Sequence, residues 1–243
     1  MTATTARTAI VPDLPHVWRG RELAQAQERT VATGHVLLDA HLPGGGWPMG
    51  SLVEVLQHEA QHHVWQLLVP ALASVTAEGD PAVLVHPPYQ PFGPSLRAQG
   101  LAPEHLLCVQ AEKASARLWA TEQALRCADV SAVLAWVPQA RPEELRRLHL
   151  CAQSGQKLLV LFRTLAARQQ SSAARLRLLV QGQEQLEVLV LKRRGPPLLE
   201  PLVLRSQPAL LSALLAARQH RRSVPQLLPT ASHVLDRPAT LPA

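Results

Sequence analysis

The sequence predicts an α/β fold, with a mainly parallel twisted sheet, helices on both faces and an antiparallel edge hairpin. Three observations point there. Short apolar runs such as AVLVH (82–86), SAVLAWV (131–137) and KLLVLF (157–162) have the look of strands buried on both faces. Between such runs lie segments of 10–17 residues with helical spacing, punctuated by proline at their starts and glycine at their ends. Late in the chain ARLRLLV (174–180) and QLEVLVLKR (185–193) flank a short stretch containing Gly182, which reads as a hairpin.

Bulk properties agree. A chain of 243 residues that is 47% hydrophobic and 17% charged can bury a full core. Cys108, Cys127 and Cys151 are widely spaced and form no CxxC pair, which argues against a disulfide framework or zinc knuckle and for a reducing cytoplasm. The best apolar stretch is interrupted by His62, His63, Gln66 and Pro70, so no membrane span is expected, and the first residues lack the apolar region of a signal peptide. Charge is uneven. Residues 1–162 hold 12 Lys+Arg against 14 Asp+Glu, while residues 163–243 hold 12 against 4. A basic end suits a phosphate backbone or an acidic partner, and equally an ordinary solvated surface.

Element by element, residues 1–16 form a flexible leader. Residues 17–30 (VWRGRELAQAQERT) have helical spacing and are expected to dock Trp18 and Leu23. The core is expected over 31–205. It opens with Asp39 and Leu42 in a short segment ended by Pro43, a turn at Gly44-Gly45-Gly46 completed by Pro48 and Gly50, and a strand over 51–56. A helix follows from about His62 to Gly79, then strands at 82–86 and 105–109. A helix over 112–127, a strand at 131–137, a helix over 141–155 and a strand at 157–162 lead to the hairpin. Residues 206–222 read as a basic amphipathic helix with Ser206 as N-cap. Its apolar stripe is Leu210, Leu211, Leu214 and Leu215, with Arg218, Arg221 and Arg222 at its C-terminal end. Residues 223–243, with four prolines, read as a mobile tail.

The order TGHVLLDAHLPGGGWPMGSLVEV, AEGDPAVLVH, LRAQGLAPEHLLCVQ, ADVSAVLAWV and RLRLLVQGQEQLEVLVLKRRGPP resembles the RecA core over about residues 17–205. The variant L-PGGGWP-x-G, with WRG upstream, resembles the ImuA family of RecA-like proteins, once called SulA-like. That resemblance implies an accessory protein of translesion synthesis and the SOS response, nucleoid-associated during DNA damage. It implies ImuB and an error-prone C-family polymerase subunit as partners, and RecA and single-stranded DNA as further ones. SulA cell-division inhibitors share a diminished RecA-like fold and bind the tubulin-like division protein. They stand as the alternative, although they are shorter and lack the long L-PGGGWP preamble.

In a RecA-like core the strand 51–56 should lead into a phosphate loop. Such a loop needs glycines for backbone wrapping, a Lys for the β/γ-phosphates and a hydroxyl for Mg²⁺. The corresponding residues are Gln57, His58, Glu59, His62, His63, Val64 and Trp65, and they meet none of these needs. Trp136 and Val137 stand where a magnesium-orienting aspartate is expected, and Pro87, Pro88 and Tyr89 follow the strand that should lead to a catalytic glutamate. The expectation is a vestigial nucleotide loop, no catalysis, no cofactor and no metal. His58, Glu59 and His62 also spell H-E-x-x-H, the zinc metallopeptidase signature. That chemistry needs both histidines one turn apart within a helix and a third ligand, whereas His58 follows the strand too closely.

Without nucleotide chemistry the core acts through its surfaces. Candidate partner contacts are Trp18, Leu210, Leu211, Leu214, Leu215, Arg218, Arg221 and Arg222. Trp18 falls where RecA-like proteins use an N-terminal segment to join neighbours. Candidate DNA contacts are Arg163, Arg168, Arg175 and Arg177 in the segment matching the second DNA-binding loop of the RecA core, with Lys192, Arg193 and Arg194. Lacking stacking aromatics, these would give salt-sensitive backbone contact.

Overall fold

The computed structural model describes residues 29–58, 64–182 and 185–204, all within the first of two units into which the chain divides, Met1–Ser206. The leader, most of the predicted N-terminal helix with Trp18, the loop residues Glu59, His62 and His63, the basic helix with its leucine stripe, and the tail lie outside the described residues. Thr30, expected to end that helix, is instead in a two-residue strand β1 (Thr30–Val31), antiparallel to β2 (Trp47–Pro48).

One eight-stranded sheet organises the rest. In chain order its strands are β3 (Ser51–Gln57), β4 (Ala82–Val85), β5 (Leu106–Val109), β6 (Ala132–Trp136), β7 (Leu158–Thr164), β8 (Leu176–Gln181), β9 (Leu186–Lys192) and β10 (Leu202–Leu204). Their spatial order is β10-β9-β8-β3-β7-β6-β4-β5. The run from β8 to β5 is parallel, while β9 pairs antiparallel with both β8 and β10. The fold is therefore α/β with a mixed, mostly parallel sheet and the expected late hairpin. Uncharged runs such as AVLV and AVLAW are wholly buried because helices cover both of their faces.

On one face α1 (Val36–His41) and α2 (Val64–Val75) bring Leu38, Leu67, Leu68 and Leu72 onto Val53, Val55, Leu84, Leu134 and Val160. A short helix α3 (Gly93–Ala98) adds Leu96 to the same cluster. On the other face α4 (Ala114–Arg126) and α5 (Pro142–Gly155) pack Leu118, Leu125, Leu145 and Leu148 on Leu52, Val83, Val133, Leu159 and Leu161. α5 starts with Pro142, and the Glu144 side chain reaches back to accept the Arg141 backbone N–H at 2.7 Å.

The preamble motif has a packing explanation. The Asp39 carboxylate accepts the Thr33 N–H at 2.8 Å and fixes the turn before α1. A Cβ on Gly34 would meet the Pro70 ring of α2 at 2.2 Å, so only glycine lets the preamble reach that helix. Gly46 likewise runs against the Val31 carbonyl, where a Cβ would sit 2.2 Å away, and this close turn delivers fully buried Trp47 to the core.

Candidate interaction surfaces

At the carboxyl end of β3, Gln57 is buried, and its side-chain oxygen has no hydrogen-bond partner among the described residues. His58 is exposed in the bend that follows, six residues before α2 begins at Val64. It is therefore off the helix, and no group of three or more His, Cys, Asp or Glu residues able to hold a metal occurs among the described residues. Val64 and Trp65 open α2. Beside this end, Trp136 of β6 stacks on Phe162 of β7, with ring centroids 4.4 Å apart and planes 21° from parallel. The carboxyl end of β6 thus presents a buried aromatic pair in place of a carboxylate.

Two of the expected DNA contacts are not on the surface. Glu54 faces the side of β3 that also carries Leu52 and Leu56, and it is completely buried. Its Oε1 accepts from Arg163 Nη1 at 3.0 Å and its Oε2 from Arg177 Nε at 2.7 Å. Arg163 also donates to the Ala140 carbonyl and the Gln170 side chain. Arg177 donates to the carbonyls of Ala167, Arg168 and Gln170. These two arginines hold a strap over the sheet beyond the reach of α4 and α5, which includes a 3₁₀ turn at Leu165–Gln169. A guanidinium with under a tenth of its surface exposed and its donors spent on a buried carboxylate cannot meet a phosphate backbone. Arg168 is exposed, its carbonyl engaged by Arg177. Arg175, Lys192, Arg193 and Arg194 converge on a depression of about 410 Å³ at the open end of the β8–β9 hairpin.

A second depression, of about 590 Å³, lies between the N-terminal ends of α4 and α5 and is lined by Ser115, Gln139, Arg141, Glu144, Thr164 and Gln170 among others. Among the described lining residues no nucleophile is paired with a base. A third surface escaped sequence reasoning. β5 is the outermost strand of the parallel end, and Leu107 and Val109 are 49% and 37% exposed on the face that α4 covers farther in. The chain from β4 to α3 borders β5 at both ends. His86 N–H donates to the Val109 carbonyl at 2.7 Å, and Gly93 lies against Pro103 just ahead of β5. Between these anchors Tyr89 and Phe92 project into solvent, at 56% and 71% exposure.

Comparison with known proteins falls on this part of the chain. The family described as "Cell division inhibitor SulA" matches residues 50–159, from the start of β3 into β7. A curated relative, "Cell division inhibitor SulA" of Edwardsiella piscicida, is 30% identical over 112 residues, which is 46% of this chain and 67% of the relative. Both findings correct the resemblance to ImuA. With it go the translesion function and the partners it implied, namely ImuB, a C-family polymerase, RecA and single-stranded DNA. In the signature that suggested it, Thr33-Gly34 through Pro48, Gly34, Asp39 and Gly46 serve packing within the fold, and the family match begins beyond it, at residue 50.

Proposed function

The chain belongs to the SulA family, and from that premise we propose that it is a cell division inhibitor acting by contact with the tubulin-like division protein. The observation that carries this reading is the identity with a curated cell division inhibitor across two thirds of that relative. The core is a RecA-like one used as a binding module, and it turns over no nucleotide. That part is supported by the Trp136–Phe162 stack and by Gln57 and His58 where phosphate ligands would be needed. Its setting is the cytoplasm, in keeping with the lack of any helix long and apolar enough to cross a membrane among the described residues.

The contact surface we assign is the β5 margin with Tyr89, Phe92, Leu107 and Val109. It lies inside the family-matched segment and exposes aromatic and aliphatic side chains beside unpaired strand edge, a combination suited to a protein partner. The test is assembly of the purified division protein, followed by light scattering or sedimentation, with this chain added in increasing amounts. Assembly should be suppressed at stoichiometric amounts. Undiminished polymer at an excess of the chain would remove the reading.

A further inference from the structure

The surface assigned to the partner is reached through a residue whose backbone is under strain. Among the described residues, the non-glycine residues with positive φ are His86, at 54°, and Gln156, at 51°. Gln156 has an ordinary reason, since it follows α5 in the left-handed conformation that commonly ends a helix. His86 has no reason of that kind. It follows β4 directly and precedes Pro87, a position that prefers extended backbone. The same half-buried residue carries a second cost, because its Nδ1 is buried with no hydrogen-bond partner among the described residues. Two local costs meeting at the entrance to an exposed segment run against stability and point to function.

The consequence lies in the residues that follow. The Val109 carbonyl holds the His86 N–H at 2.7 Å, and Pro87 and Pro88 have no N–H with which to continue the ladder. Three of the six residues 87–92 are prolines, whose rings fix φ. At the far end the Phe92 carbonyl accepts the Ser95 and Leu96 N–H groups of α3 at 3.0 and 3.2 Å, and Leu96 belongs to the core. A segment stiffened in this way takes its direction from the backbone angles at its start. We infer that His86 is a positioning residue: its left-handed backbone aims the 87–92 arm so that Tyr89 and Phe92 stand beside β5 before any partner arrives. The identity of that partner rests on the division-inhibitor reading. An arm set in advance avoids the ordering cost that a flexible loop meets on binding.

The chain contains a single tyrosine, so incorporation of 3-fluorotyrosine gives one fluorine resonance, from Tyr89. The experiment follows that resonance, and the inhibition of division-protein assembly, in the parent, His86→Asn and His86→Val. Asparagine enters the left-handed region readily, whereas a β-branched residue does not. His86→Asn should keep the Tyr89 shift and inhibit within about threefold of the parent. His86→Val should move or split the resonance and need about tenfold more chain for the same inhibition. His86→Gly reaches the same φ without a Cβ, and so serves if the valine variant does not fold. It should narrow the Tyr89 line by freeing the arm and weaken inhibition by about threefold or more. An unmoved resonance in folded His86→Val, a moved one with full inhibition, an equal loss in His86→Asn, or a His86→Gly variant indistinguishable from the parent would each overturn the inference. If the parent itself leaves assembly intact, the division-inhibitor reading falls, and the Tyr89 resonance alone decides whether His86 sets the arm.

Discussion

Glu54 and Arg177 are register partners on adjacent parallel strands, and their side chains close on each other within the sheet, Nε to Oε2, at 2.7 Å. Arg163, from the strand on the other side of β3, completes a buried group of two cations and one carboxylate. Burying such charges is costly in itself, so the group is not a simple gain in stability, but removing one member leaves the others uncompensated. Glu54→Gln should therefore lower the unfolding free energy by about 3–5 kcal/mol, read from urea denaturation. A loss under about 1 kcal/mol would mean that the carboxylate is not what holds the two arginines.

Arg177 has a second role that predicts a different signature. Its Nη atoms bind the carbonyls of Ala167, Arg168 and Gln170, so it fastens the strap as well as neutralising Glu54. Arg177→Lys keeps the charge and loses the fork. Limited trypsin digestion should then cut after Arg168 faster than in the parent protein, with little change in digestion elsewhere. Equal protection of Arg168 in both proteins would show that the strap is held by other contacts.

How much of this was legible beforehand differs from feature to feature. The strands and major helices follow from apolar runs and from proline and glycine punctuation, and α5 starts and ends where the sequence places it. The buried charge group was missed because its members lie 109 and 123 residues apart and each looks like a solvated ion. A signal was present: Glu54 interrupts SLVEVL, and a charge inside a strand buried on both faces demands a partner. The β5 margin was missed because an apolar tetrapeptide has the same pattern in the centre of a sheet as at its edge, and only the crossover order decides between them. The preamble misled on function because Gly34, Asp39 and Gly46 answer to packing within this chain, against Pro70, Thr33 and Val31.

A pH dependence follows from His149 on α5, whose Nδ1 accepts the Leu52 N–H of β3 at 3.1 Å. Burial holds this imidazole below its ordinary value of 6.5, and the positive charge of Lys192 pushes in the same direction. A histidine with a lowered folded pKa binds fewer protons folded than unfolded. Its contribution to stability is therefore fully present above 6.5 and is lost as pH falls toward the folded value. Protonation also turns both ring nitrogens into donors, leaving the Leu52 N–H without its acceptor. Histidine Cε1–H titration by NMR should place His149 lower than an exposed histidine, and Lys192→Met should move it upward. His149→Phe should cost about 1 kcal/mol at neutral pH and flatten the fall of stability below pH 6.5. An unchanged slope in that variant would assign the acid sensitivity to other groups.

The β5 margin yields the prediction that separates folding from function. Leu107 and Val109 point toward the α4 side but are too far out to be covered, so a lysine at either position can extend into water with its stem along the surface. Lysine on a sheet edge is also a known means of discouraging a further strand or partner from pairing there. Leu107→Lys and Val109→Lys should consequently keep the parent's unfolding free energy, read from urea denaturation, to within about 0.5 kcal/mol, as surface substitutions do. In the same variants inhibition of division-protein assembly should need about tenfold or more additional chain, because a charge in the centre of an apolar contact must be desolvated on binding. Phe92→Ala, at the neighbouring loop, should weaken inhibition in the same sense without altering the fold, since its ring is largely in solvent. Full inhibition by all three variants would move the contact away from this end of the sheet and leave the family's activity to be sought on another face.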